Sequence, residues 1–271
     1  MFSSASFLSF ISVASASFAP AAVLASTTVC KQPAHLILAI FAAFLWSCAI
    51  SVVALVWIAL FRPLGAPLWV VALCAVVLQE LARWATYALF EAMLRGLRSA
   101  GLMPHDGPRT AAQQVPAAVS SGLGAGVMQV LVMHGDVLAG ALRPGTLYAP
   151  SCSALSLFAV DALTNLACIA LNVLLSVLGW TAAYPTNSLR AWCALFALHG
   201  LAVASTLLNN MWPGGGCALS LPSLYAVVSI TAVATARSNA TFTRKSVGCT
   251  TAVGTRLSSS SNDAFTSESN T

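Results

Sequence analysis

Glu80 and Arg83 stand three residues apart inside a long apolar run, in the stretch Leu78-Gln79-Glu80-Leu81-Ala82-Arg83. That spacing puts both on one face of a helix, with Gln79 beside them. A lone charge in lipid costs at least ~2.5 kcal/mol. Such a pair must therefore neutralise itself, tie to a neighbouring helix, or line a wet path for protons or ions. A second polar set sits further along: Asp161, Asn165 and Asn172 in one apolar run, His199 in the next. Asp161 and Asn165 are four apart and share a face. The expected depths of Asp161 and His199 in their runs differ by roughly 6 Å, so contact between those two is feasible. This set reads as a hydrogen-bonded clamp between helices or as a site for proton transfer or ligand coordination.

Peptide-bond hydrolysis inside a membrane needs more than these residues. An aspartyl protease needs two carboxylates sharing a proton, but Asp161 is the only Asp well inside an apolar run, and no YD/GxGD pair exists. The HExxH of a metalloprotease is absent. A rhomboid-type serine protease carries its nucleophile in GxSx. The corresponding stretch here is Gly122-Leu123-Gly124-Ala125, with no Ser. No CxxC or Cys/His spacing suits a metal. No catalytic, cofactor or metal site is expected.

The elements that must position these residues are long and apolar. Of 271 residues 58% are hydrophobic and only 7% charged, where a soluble domain carries about 25% charged residues. Seven runs are long enough to cross a bilayer: about 5–26, 35–61, 66–92, 115–137, 153–181, 190–211 and 219–236. Pro- and Gly-containing breaks separate them, such as Arg62-Pro63-Leu64-Gly65 and Tyr184-Pro185-Thr186-Asn187. The expected fold is an all-α membrane protein, a seven-transmembrane helix bundle spanning 1–236. Residues 237–271 are rich in Ser and Thr and read as a disordered tail.

The basic residues set the orientation. Lys31, Arg95, Arg98, Arg109, Arg190, Arg237, Arg244, Lys245 and Arg256 fall on one side, and only Arg62 and Arg143 on the other. By the positive-inside rule the N-terminus is outside and the C-terminal tail cytosolic. The scattered charges form no nucleic-acid patch. The first run resembles a signal peptide in composition, but no Lys or Arg precedes Lys31, so it is read as a retained span. Cys48, Cys74, Cys168 and Cys193 lie inside runs, as small apolar residues do. Cys152 and Cys217 lie in two loops placed on the same outer side. A bond between them is open, because sequence does not supply the Cα separation it needs.

The fourth run carries small residues in two rows, Ala118/Gly122/Gly126 and Ala117/Ser121/Ala125. Without side chains, helix backbones approach closely and gain contact that lipid cannot match. The rows predict a tight helix seam, within the chain or between subunits.

Taken in order, these residues resemble the anterior-pharynx-defective family, the scaffold subunit of gamma-secretase. Phe18-Ala19-Pro20-Ala21 is similar to the family's FGPA, with Ala for Gly. Leu78-Gln79-Glu80 followed by Arg83 resembles LQExxR, and Val119-Ser120-Ser121-Gly122-Leu123 into Gly126 resembles VSGLSFG. His199 falls where the family has a sixth-span His. Leu207-Leu208-Asn209 with Trp212 resembles FLNPW, and Leu221-Pro222 with Tyr225-Ala226-Val227 resembles LPxYAV. Two positions depart: Val130 stands where the family's Gly row continues, and Asn172 where it has a fifth-span His. The resemblance implies a non-catalytic scaffold that binds presenilin, nicastrin and the presenilin enhancer in the bilayer. It implies protein processing, including the Notch pathway, from the endoplasmic reticulum and Golgi onward. The rival reading is a transporter or channel with a path through Glu80, Arg83, Asp161 and His199.

Overall fold

The protein is described by a computed structural model, which places residues 4–102, 111–142, 148–149, 152–211 and 216–265. Its helices are α1 (Ser4–Leu24), α2 (Pro33–Val56), α3 (Leu68–Ser99), α4 (Ala111–Gly140), α5 (Leu157–Leu178), a single turn α6 (Tyr184–Thr186), α7 (Leu189–Met211) and α8 (Gly216–Phe265). Wider π-helical turns extend α1, α2 and α5, at Ala25–Val29, Trp57–Phe61 and Gly179–Ala183. Seven of these helical stretches are long and apolar enough to cross a membrane, from Phe7–Val29 to Gly216–Thr241. In lipid only a helix or a closed barrel satisfies its own backbone, so apolar runs of this length must be helical. The chain is an integral, multi-pass membrane protein.

Local chemistry sets the ends. Pro33 begins α2, where its missing N–H costs nothing. Gly65 turns the chain between α2 and α3 with φ 63°, in the expected Arg62-Pro63-Leu64-Gly65 break. Asn187 ends α6 in the left-handed region, φ 47°. The fifth run begins differently from the sequence expectation. Cys152–Ser156 forms a strand, β2, antiparallel to β1 (Tyr148–Ala149), and α5 starts only at Leu157. A short apolar stretch reads alike as strand or helix. Ser156 makes the boundary, its Oγ accepting from the Ala159 N–H at 3.2 Å. At the other end of the chain, α8 stays helical past residue 236, where the sequence reading begins a disordered tail, as far as Phe265.

α5 is the axis of the bundle. The most apolar window of this span is 72% buried within the chain, against 17% for those of α1 and α2, which leave most of their surface to lipid. α8 is held to it by Tyr225 Oη donating to the Leu163 carbonyl (3.0 Å) and Thr235 Oγ1 to the Leu174 carbonyl (3.2 Å). A disulfide joins Cys152 to Cys217, with Cα atoms 5.4 Å apart, and closes the pairing left open by the sequence. At the opposite end, Tyr87 and Phe90 of α3 meet Trp180 with ring centroids 5.3 and 5.1 Å apart.

The small rows of α4 find their partner inside the chain. A Cβ on Gly122 would come within 2.6 Å of Val173 Cα, and one on Gly126 within 3.0 Å of Ile169 Cα, both on α5. Ala118 in the same row is fully buried. Gly124 faces the other way, and a Cβ there would collide with the Ala39 carbonyl of α2. α4 is thus clamped between α2 and α5 with bare backbone on both sides. Gly124→Ala should sharply lower the yield of monodisperse protein in mild detergent. Gly135→Ala, where a Cβ meets open space, should leave it unchanged. Size-exclusion chromatography of both variants checks this, and equal yields would refute the close approach.

Candidate functional site: two buried polar clusters

α3 brings Glu80 and Arg83 to its inner face, where both are buried. Their side chains pair, Arg83 Nη1 donating to Glu80 Oε1. The same oxygen takes the His199 ring of α7, with Nδ1 at 2.5 Å. Arg83 turns two further donors to α5: Nη2 to Asn172 Oδ1 at 3.0 Å, and Nε to Ser176 Oγ at 3.2 Å. The guanidinium carbon also lies 5.3 Å from the ring centroid of Trp46 on α2, a cation–π contact. Asn172 passes the network on, its Nδ2 donating to Gln129 Oε1 of α4 at 2.8 Å. One buried cluster therefore joins α2, α3, α4, α5 and α7. Gln79 is buried next to Glu80 but makes no hydrogen bond in this network among the described residues.

A second cluster ties α1, α4 and α5. His134 Nδ1 lies 2.6 Å from Asp161 Oδ1. Asn165 Nδ2 donates to Asp161 Oδ2 at 2.9 Å and reaches Ser17 Oγ at 3.5 Å. Asp161 and Asn172 are eleven residues apart on α5, about 16 Å along the axis. The structure thus unites Glu80, Arg83, Asn172 and His199, and separately Asp161 and Asn165. It does not make the Asp161–His199 contact that their depths allow, because each takes a nearer partner. Sequence reasoning missed His134, Gln129, Ser176, Ser17 and Trp46. His134 was legible as a second imidazole inside an apolar run. The others carry no charge, and small polar side chains in helices usually bond their own backbone.

The arrangement links helices through side-chain contacts. Each imidazole is engaged by a carboxylate, and among the described residues no Ser or Cys is hydrogen-bonded to either ring. No group of three His, Cys, Asp or Glu able to hold a metal occurs among the described residues. The cavity beside the first cluster, lined by Gln129, Asn172, His199 and Thr206, is about 50 Å³. That is room for one or two waters.

Comparison with known proteins places this geometry. The family model described as "Aph-1 protein" matches residues 8–241, nearly the whole helical bundle. The chain belongs to the Aph-1 family. It is also similar to the gamma-secretase subunit APH1-like of Arabidopsis thaliana, at 24% identity over 221 residues, 79% of this chain and 86% of that protein. Both clusters lie within the matched region.

Because Glu80 and Arg83 share partners, their removal should not be additive. Glu80→Ala leaves a buried guanidinium short of its counter-charge, a loss of about 3–5 kcal/mol for a broken buried pair. Glu80→Ala combined with Arg83→Ala should cost less than the sum of the single changes by roughly 1–3 kcal/mol. Thermal unfolding of the four proteins in detergent measures this, and strict additivity would mean independent roles.

Proposed function

We propose that the chain is a non-catalytic scaffold subunit of a gamma-secretase-type intramembrane protease complex. Its partners would be presenilin, nicastrin and presenilin-enhancer-type subunits, with presenilin supplying the catalytic aspartates. Membership of the Aph-1 family and the name of the Arabidopsis relative support a place in such a complex. The observation that carries the scaffold role is the hydrogen bonding of buried polar groups to one another across four spans, α3, α4, α5 and α7. Ionisable groups inside a membrane usually mark a reaction or transport path. Here their capacity goes into fixing helix positions, which suits a subunit whose product is a rigid surface. The transporter reading is weaker on the same ground, since Asp161 stands about 16 Å along α5 from the Glu80–Arg83–His199 group. Purification in mild detergent should recover the chain with a presenilin-type protease. Solute flux by the purified chain alone in liposomes, without such a partner, would favour the transporter instead.

The proposed topology is N-terminus outside and C-terminus cytosolic, in the endoplasmic reticulum, Golgi and onward membranes. Two observations support it. Nine basic residues against two lie on the proposed cytosolic side. The Cys152–Cys217 disulfide lies at the opposite end, and disulfides persist in oxidising compartments such as the lumen and cell exterior. Asn239-Ala240-Thr241 is the chain's only N-x-S/T sequon and falls on the cytosolic side. The native chain should therefore carry no N-glycan. A new sequon in a lengthened loop near Arg143 should be glycosylated, and one beyond Arg256 should not. A glycan at the latter, read as an endoglycosidase-sensitive gel shift, would invert the topology.

A further inference from the structure

A cavity of about 580 Å³ opens beside the turn between α1 and α2. This is within the range of about 300–1,000 Å³ usual for small-molecule sites. The spans that wall it end at Val29 and Ser99 and begin at Pro33 and Gln113, so it lies at headgroup depth. Phe90, Met93, Leu94 and Leu97 of α3 make an apolar side. The start of α2 makes a polar one, with Lys31, Gln32, Ala34 and His35. Glu91 also lines the cavity but is already engaged within the protein, so it selects nothing.

The polar groups have a definite sense. Lys31 is exposed and has no carboxylate partner among the described residues. Gln32 caps α2 without a side-chain hydrogen bond, and Pro33 has no N–H to give. The Ala34 N–H is therefore the first backbone donor of the helix, and it finds no acceptor among the described residues. The positive end of the helix dipole lies at the same point. His35 is buried, and its Nδ1 lies 3.5 Å from the Thr28 carbonyl, which can only accept. The neutral ring then presents Nε2 as an acceptor, and Nε2 has no partner among the described residues. An anion suits Lys31 and the Ala34 N–H, a hydroxyl donor suits Nε2, and an acyl chain suits the α3 wall. We propose that this cavity binds an anionic phospholipid with a hydroxylated headgroup, of the phosphatidylinositol class. The phosphodiester meets Lys31 and the start of α2, a ring hydroxyl donates to His35 Nε2, and the acyl chains leave along Met93 and Leu97 into the bilayer. A choline headgroup has no hydroxyl to donate and balances its phosphate with its own cation. The topology proposed above sets the leaflet as the cytosolic one. Binding itself depends neither on that topology nor on the scaffold role.

The test is lipid-dependent unfolding of the full chain, delipidated in detergent. Dioleoyl phosphatidylinositol should raise the unfolding midpoint by roughly 5 °C at saturation. Three lipids of the same chains should raise it markedly less: phosphatidylmethanol, which has the charge without the hydroxyls, galactosyl diacylglycerol, which has hydroxyls without the charge, and phosphatidylcholine. Lys31→Ala alters an exposed side chain, so its lipid-free midpoint should match the parent's. Its affinity for phosphatidylinositol should fall roughly fivefold. His35→Phe keeps a ring but removes Nε2. Within that variant phosphatidylinositol and phosphatidylmethanol should give the same shift, whatever its lipid-free midpoint. Equal shifts with these two lipids in the parent, a preference that survives His35→Phe, or an unchanged affinity in Lys31→Ala would overturn the proposal. A full shift with soluble glycerophosphoinositol would overturn it too, since the ligand would then be a free phosphorylated polyol and not a membrane lipid.

Discussion

The Glu80–Arg83 pair is the constraint around which the bundle is built. Two charges sit buried inside the bundle, on a span otherwise able to rest in lipid. One oxygen of Glu80 serves both Arg83 and His199, and Arg83 finds further acceptors on α5. Three spans are thereby brought to one point, and Asn172 adds a fourth through Gln129. Hydrophobic burial cannot do this in a membrane, because lipid tails solvate Leu and Val as well as another helix does. Polar satisfaction decides which helix lies beside which, and close packing then fixes the distances.

Close packing falls chiefly to α4. Gly122 and Gly126 admit the α5 backbone on one side and Gly124 admits α2 on the other. Two helices therefore approach α4 more closely than any side chain would permit. The two effects depend on each other. Gln129 of α4 reaches Asn172 at 2.8 Å only because the glycine row a turn earlier lets α5 come near. The departure at Asn172 from the resembling family's His is intelligible at the same point. The amide accepts from Arg83 and donates to Gln129 at once, as a neutral imidazole also can.

Much of this was legible in the sequence. Seven spans follow from the lengths of apolar runs, and the breaks from Pro and Gly. The Glu80–Arg83 and Asp161–Asn165 pairs follow from helical spacing alone, since i,i+3 and i,i+4 neighbours share a face whatever surrounds them. What crosses between helices was not legible. The small rows announced a seam without naming α5, and Gly124 belonged to neither row. His199 was matched by depth to Asp161, yet the rotation of α7 about its own axis turns it to Glu80. Depth is encoded along a span; azimuth depends on all the neighbours together. Residues 153–156 of the strand were absorbed into the fifth run for another reason, because four apolar and small residues carry no periodicity that separates strand from helix.

The disulfide between Cys152 and Cys217 closes a covalent ring of 65 residues of separation, and α5, α6 and α7 lie wholly inside it. The axial helix and its neighbour on the His199 side are thus part of a loop and not of an open thread. A peptide bond cut anywhere between the two cysteines does not divide the molecule. Its halves stay linked outside the bilayer as well as packed within it, and come apart only when a reductant and a denaturant act together.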